Sequence, residues 1–176
     1  HRPGFQHFRC DVSESEAPLR VALVGVPNCG KTALFNRLTG SHQKVANYAG
    51  VTVERKEGTA HDAATGRTYR ILDLPGAYSL AAVTLDEAIT RDVVRGKLAS
   101  EPPPDVIVNV VDATNLRLGL RLTLELARLG RPLIVALNLS DIARRRGMNV
   151  DTQQLAQILG CPVVETVAVQ SGGEKA

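Results

Sequence analysis

The chain has 176 residues and a mass of 18.9 kDa, the size of one domain with enough length for a packed core. Its 44% hydrophobic and 22% charged content, with 15 Gly and 9 Pro, is that of a globular protein and excludes a disordered, collagenous or low-complexity chain. A net charge of +3 and 3% aromatic residues argue against a nucleic-acid partner, which calls for concentrated basic charge beside stacking rings.

Residues 1–18 have no hydrophobic period and read as a tail, followed by a domain over 19–170 and a short end over 171–176. His1, His7 and Cys10 in the tail match no metal spacing. From Leu19 onward, strand-like and helix-compatible runs alternate at 20–24, 31–38, 51–57, 68–72, 86–98, 106–111, 116–129, 133–137, 152–159 and 163–167. Such alternation predicts an α/β domain with a mostly parallel sheet. Residues 53–71 read instead as a hairpin broken at Ala64-Thr65-Gly66, which supplies one antiparallel edge strand. Leucines at 116, 118, 120, 122, 124 and 126 follow a strand period, yet the length and the Leu, Arg and Glu content predict a helix, capped by Thr114 or Asn115 and buried on more than one side. The run Arg144-Arg145-Arg146 reads as a solvated helix end. Cys10, Cys29 and Cys161 are too far apart for a C-x-x-C pair and fit a reducing compartment. No stretch has the ~18 consecutive apolar residues of a membrane span, and the first residues lack a secretory pattern.

Gly25-Val26-Pro27-Asn28-Cys29-Gly30-Lys31-Thr32 fits G-x-x-x-x-G-K-[ST] between a predicted strand and a predicted helix. The glycines let backbone N–H groups turn toward phosphate oxygens, and the helix presents its positive end to the same anion, with Ala33 in its first turn. Lys31 supplies charge to the β- and γ-phosphates, and Thr32 can ligate Mg²⁺. Asp73-Leu74-Pro75-Gly76 ends the strand at 68–72, placing Asp73 for the Mg²⁺ shell and the Gly76 N–H for a γ-phosphate. In Asn47-Tyr48-Ala49-Gly50-Val51-Thr52, a loop entering a strand at Thr52, the threonine can reach Mg²⁺ and the γ-phosphate only when that phosphate exists.

N-x-x-D occurs twice, at Asn109 to Asp112 and at Asn138-Leu139-Ser140-Asp141. Position selects the second, with Asn109 a strand residue whose amide finds local partners. Asp141 can accept from both N1–H and the amino group of guanine, which adenine cannot offer. Asn138 would brace this loop against the phosphate loop and contact the base. Cys29 reads as a small filler whose pKa the nearby amides and Lys31 could depress.

With Gly50-Val51-Thr52-Val53-Glu54, Asp73-Leu74-Pro75-Gly76-Ala77-Tyr78-Ser79-Leu80, Asp112-Ala113-Thr114-Asn115-Leu116 and Ala136-Leu137-Asn138, these motifs resemble the cytosolic G domain of the bacterial ferrous iron transport protein B family over about residues 19–169. The resemblance implies a Ras-like P-loop GTPase domain, a mostly parallel six-stranded sheet with one antiparallel edge strand and helices on both faces. It implies GTP and GDP as ligands, Mg²⁺ as cofactor, and a K⁺ ion held by Asn28 that stimulates hydrolysis. It implies a regulatory domain joined to a membrane-embedded Fe²⁺ transporter at the cytoplasmic face of the inner membrane, with this chain an excised piece, soluble by itself. Small accessory iron-transport proteins and self-association are further partners it admits. Lys31, Thr52, Gly76 and Asn28 are the expected catalytic group; Leu139 stands where many GTPases carry a Lys and would keep an aliphatic contact with the base, and a fifth motif without its usual Ser would leave backbone N–H groups at Ala168 and Val169 to touch guanine O6. The chain departs from the family at Tyr48 and Ala49, where Trp and Pro are usual, which predicts a looser first switch loop. Ala77 stands where Ras-like enzymes carry a water-positioning glutamine, which predicts slow turnover. Two other readings are a nucleotide sensor with incidental turnover and a soluble GTPase of ribosome or tRNA maturation.

Overall fold

A computed structural model describes residues 17–166. β1 (Leu19–Gly25) leads through the glycine-bounded loop into α1 (Lys31–Thr39), followed by β2 (Gln43–Asn47), β3 (Glu54–His61) and β4 (Thr68–Asp73). Then come α2 (Leu85–Val94), β5 (Val106–Asp112), a 3₁₀ turn (Ala113–Asn115), α3 (Leu116–Ala127), β6 (Leu133–Asn138), α4 (Ser140–Arg145), α5 (Thr152–Leu159) and β7 (Val163–Thr166). The strands form one sheet in the order β2-β3-β4-β1-β5-β6-β7. β1 pairs in parallel with β4 and β5, and β6 and β7 continue that direction.

The mixed sheet is the expected Ras-like fold with seven strands among the described residues rather than six. The additional strand is β2, whose Gln-Lys-Val-Ala-Asn sequence has four exposed residues out of five. Pairing with β3 makes it a strand, and burial contributes little, so no hydrophobic pattern announced it. β3 is the strand that runs against β4, as the hairpin reading required, but β2 takes the edge. At the hairpin turn the Asp62 carboxylate accepts from the Ala64 N–H and the Thr65 hydroxyl, and Gly66 takes a φ of 71°.

Period-two alternation in β1 divides the core. Ala22 and Val24 join the large cluster that includes Ile89 and Val93 of α2 and Leu122 and Leu126 of α3, while Val21 and Leu23 pack with Phe35 of α1. The sheet is therefore covered on both faces, and the helices hold the strand ends rigidly at one pole.

The helix over the leucine run is real, but its burial is one stripe: Gly119, Leu122, Thr123 and Leu126 are buried at helical spacing, and Leu124 faces solvent. Gly119 allows the close approach, since a Cβ there would lie 2.6 Å from Val111 Cγ1. The cap position falls on Asn115, one of the two residues expected there, without a side-chain bond, and Asp112 caps the 3₁₀ turn through the Thr114 N–H. Among the described residues no helix is long and apolar enough to cross a membrane.

Candidate nucleotide site

The carboxyl ends of β1, β4 and β6 bring the phosphate loop, Asp73 and Asn138 to one pole. Gly30 stands at the cap position of α1 with φ 90°, and no side chain caps this helix. Its first-turn N–H groups therefore face outward as an anion site. Both loop glycines are required by space as well. A Cβ on Gly25 would lie 2.5 Å from Cys29 Sγ and 3.0 Å from the Val110 carbonyl oxygen, and one on Gly30 would lie 2.1 Å from Asn138 Nδ2.

Lys31 and Asp73, expected on phosphate and Mg²⁺ respectively, bind each other through Nζ and Oδ1. Both are buried, at 9% and 5% exposure. Each is thus already desolvated and opposed by a charge that a ligand of the same sign could replace. A cleft of about 430 Å³ joins Lys31, Thr32, Thr52, Asp73, Leu74, Pro75 and Gly76. Among the described residues no three His, Cys, Asp or Glu side chains cluster as a metal site. Two hydroxyls and one carboxylate are a donor set for a hard cation that keeps water and phosphate oxygens as its remaining ligands.

The same cleft is lined by Glu54, Lys56, Leu85 and Asp86, which sequence reasoning missed. Glu54 and Lys56 were findable, since they share one side of β3 at period two just after Thr52, and Lys56 is the register partner of Asp73. Leu85 and Asp86 open α2 and are brought in by the preceding loop, for which no local signal exists.

The loop carrying Thr52 is anchored more firmly than expected. Tyr48 is buried at 3% exposure, in contact with the main core, and its backbone N–H donates to the Val53 carbonyl while that of Val51 donates to Tyr48. Gly50 turns the chain with φ 76°, and β3 begins only at Glu54, two residues after exposed Thr52. Tyr48, expected to leave this loop looser, is thus a hydrophobic anchor. Its hydroxyl is buried without a partner, and burial raises its pKa.

Downstream of Asp73, the Leu74 N–H donates to the Leu23 carbonyl and the Ala77 N–H to the Gly25 carbonyl, and Gly76 packs on Pro27, where a Cβ would approach to 3.1 Å. The Thr90 hydroxyl donates to the Pro75 carbonyl at 2.8 Å. Glu87 caps α2 reciprocally with Thr84 and also accepts from the N–H groups of Tyr78 and Val83. Burial pushes the Glu87 pKa up, but the N–H donors of Tyr78, Val83, Thr84 and Ser79 outweigh it and hold the carboxyl below the ordinary range.

At the other end of the site Asn138 is fully buried, and its Nδ2 donates to the Cys29 carbonyl at 3.1 Å, the brace expected between the two loops. Leu139 adopts a φ of 61° and heads α4, with Asp141 in the first turn. Asp141 Oδ1 is buried without a hydrogen-bond partner, as is Thr166 Oγ1 on β7, whose register partner is Asn138. Two unpaired buried polar atoms near the carboxyl ends of β6 and β7 are what a base edge would satisfy. Ala168 and Val169 lie outside the described residues, as do His1, His7 and Cys10. The first N-x-x-D is used internally: Asn109 Nδ2 donates to the Thr123 hydroxyl at 2.6 Å, and Asp112 Oδ1 accepts from the N–H and the hydroxyl of Thr114. Cys29 is buried at 1% exposure, and desolvation raises its pKa against the lowering influence of Lys31, so the expected depression does not occur. Arg144 pairs with Glu165 at 3.3 Å, while Arg145 and Arg146 are exposed.

Residues 19–176 match the family model described as ferrous iron transport protein B. The Fe(2+) transporter FeoB of Salmonella typhimurium is 46% identical over 158 residues, which is 90% of this chain and 20% of that protein. The corresponding Escherichia coli K12 protein is 44% identical over the same shares. The chain therefore spans about a fifth of the length of these relatives. Among solved structures, the cytosolic domain of the T. maritima FeoB iron transporter in a GDP form superposes with a TM-score of 0.81 at 42% identity, covering 88% of this chain and 58% of that one. The cytosolic domain of L. pneumophila FeoB gives 0.76 at 45% identity, with 85% and 61% covered.

Proposed function

Because the chain belongs to the ferrous iron transport protein B family, we propose that it binds and slowly hydrolyses GTP as the regulatory domain of an Fe²⁺ transporter. In that reading the membrane-embedded portion belongs to the same polypeptide, and this domain stands at the cytoplasmic face of the inner membrane. The observation that carries the proposal is the buried Lys31–Asp73 pair at an uncapped helix N-terminus, tied through Asn138 to a loop whose Asp141 has an unpartnered buried oxygen.

The residues divide the work as follows. The N–H groups of the loop from Gly25 to Gly30 and of the first turn of α1, through Thr32 and Ala33, receive the phosphates. Lys31 would exchange Asp73 for the β- and γ-phosphate oxygens, and the Asp73 carboxylate with the hydroxyls of Thr32 and Thr52 would be the residues that hold Mg²⁺. When bound, Mg²⁺ supplies positive charge where negative charge accumulates on the phosphoryl oxygens. Thr52 and the Gly76 N–H contact the γ-phosphate, so the two loops that carry them read the difference between GTP and GDP. Asn28 is exposed on the loop with φ 65° and is the residue proposed to hold K⁺.

Water orientation is the weak element. Ala77 offers no polar side chain after Gly76, and its N–H is spent on the Gly25 carbonyl. Backbone groups near Thr52 must place the nucleophile, which predicts slow turnover and favours the sensor reading as the second possibility. Single-turnover rates compared with nucleotide dissociation rates distinguish an enzyme from a sensor. Equal turnover in Na⁺ and K⁺, or no loss in Asn28→Ala, removes the K⁺ role.

Asp141 gives the sharpest test of the base assignment. Asp141→Asn should weaken GDP by about 100-fold, because the variant faces the guanine N1–H with one acceptor and an unwanted donor. Calorimetry of the wild-type chain that registers no GDP binding, or a preference for ATP, overturns the assignment.

A further inference from the structure

The segment that follows Gly76 is fastened by a second carboxylate, from an element 45 residues further along the chain. Glu125 of α3 accepts from the Ser79 hydroxyl at 2.8 Å through Oε1 and from the Leu80 N–H at 3.1 Å through Oε2. Ser79 Oγ accepts in turn from the Ala81 N–H at 3.1 Å, and the Leu80 side chain is buried in the main core. The carboxylate therefore holds the middle of the connection between Gly76 and α2, while Glu87 holds positions on either side of it, at Tyr78 and Val83.

Glu125 is itself well placed to act as a fixed point. Two residues earlier, Thr123 is fully buried, accepts from Asn109 Nδ2 and donates to the Gly119 carbonyl, and Gly119 sits flush against Val111. α3 is thus locked to the central strand β5, and Glu125 projects from a rigid helix rather than from a loop. None of these bonds reaches the phosphate site directly. What they set is the position of a segment whose first residues, Gly76 and Ala77, lie on Pro27 and Gly25 of the phosphate loop.

We propose that Glu125 is a positioning residue for triphosphate recognition: by binding Ser79 and Leu80 it holds the Gly76 segment against the phosphate loop before nucleotide arrives. The proposal rests on the guanine-nucleotide reading of the site. A γ-phosphate then meets a preorganised N–H, and little ordering remains to be done on binding. GDP makes no use of Gly76, so its affinity does not depend on this contact. The specificity for GTP over GDP is thereby linked to a helix that touches neither ligand.

The test measures affinities for GDP and for a non-hydrolysable GTP analogue in the wild-type chain and in Glu125→Ala, Glu125→Gln, Ser79→Ala and the Ser79→Ala/Glu125→Ala double variant. Glu125→Ala should weaken the analogue about tenfold, the loss of two bonds to a charged acceptor, and leave GDP within about twofold. Glu125→Gln keeps an acceptor oxygen and should recover the analogue to within about threefold of wild type. Ser79→Ala should add little in the Glu125→Ala background, because the bond to Glu125 is already gone and only the Ala81 N–H contact remains to be lost. Parallel weakening of both nucleotides, no change in either, or a tighter analogue in Glu125→Ala each overturns the proposal. The wild-type GDP measurement keeps the two levels apart: absence of GDP binding there sinks the site reading, whereas GDP binding without the split sinks the role of Glu125 alone.

Discussion

Two ion pairs, one buried and one partly exposed, each tie a strand of the sheet to a segment distant in the chain, and they are built for different ends. Lys31 meets Asp73 by one nitrogen and one oxygen, beside a helix end whose N–H groups are uncapped. Arg55 meets Glu101 by two, Nε to Oε1 and Nη2 to Oε2, and shares Glu57 with Arg70, which donates to it at 3.0 Å. A lysine is a mobile point charge on a flexible stem, whereas the guanidinium fork fixes direction as well as distance. The first pair can be opened by a ligand that offers each partner a substitute. The second is enclosed by further charges of its own network and has no such substitute. The Glu57 and Glu101 contacts raise the Arg55 pKa beyond its already high value, burial opposing them. The lesson is that burial of a charge pair does not by itself mark a functional site; a replaceable partner does.

The comparison is broken most directly by removing one member of each pair. Lys31→Ala should lower GDP affinity by on the order of 100- to 1000-fold, the cost of truncating one side of a desolvated charge contact, as calorimetry would measure. Glu101→Gln should do the reverse. Loss of the anion leaves Arg55 a quarter exposed, so part of the penalty is relieved by water, and about 2–3 kcal/mol of unfolding free energy should disappear while GDP affinity stays within about twofold. Denaturant unfolding with and without GDP separates the two outcomes. Comparable effects of both substitutions on nucleotide binding would erase the distinction.

A smaller effect sharpens the same contrast at Glu87, a carboxylate that binds N–H groups instead of a cation. Its folded-state pKa lies below the ordinary 4.5, so its stabilising contribution is complete above that value and is lost as pH falls through the folded pKa. Thermal unfolding followed from pH 6 downward should therefore show a steeper acid loss in the wild-type chain than in Glu87→Gln. An identical slope in both would mean that the N–H donors around Glu87 do not favour its charged form.

Sequence reasoning reached the phosphate loop, Asp73, Asn138 and Asp141 because each follows directly from a strand end whose residues are locally patterned. It chose correctly between strand and helix for the leucine run, since length and residue type outweighed period. It also anticipated the brace from Asn138 to the phosphate loop, which the structure records at the Cys29 carbonyl. It failed where position comes from pairing or packing. β2 has no hydrophobic alternation to reveal it, Leu124 fits the apolar pattern yet is 54% exposed, and Tyr48 was read as a loosening substitution although it is buried in the core. Cys29 is the small buried filler it was read as, and desolvation outweighs the lowering influence that Lys31 could exert on its pKa.

The order of elements, the turn chemistry and the spacing of the nucleotide motifs are local properties, governed by residues within a few positions of one another, and the chain carries them without help. Which charges meet is another matter. Lys31 with Asp73, Arg55 with Glu101, and Ser79 with Glu125 are separated by 42, 46 and 46 residues, and only the packing of helices and loops against the sheet brings them together. Such contacts depend on how helices, loops and strands far apart in the chain are packed against one another, and that information resides in the packed core, not in any segment read by itself.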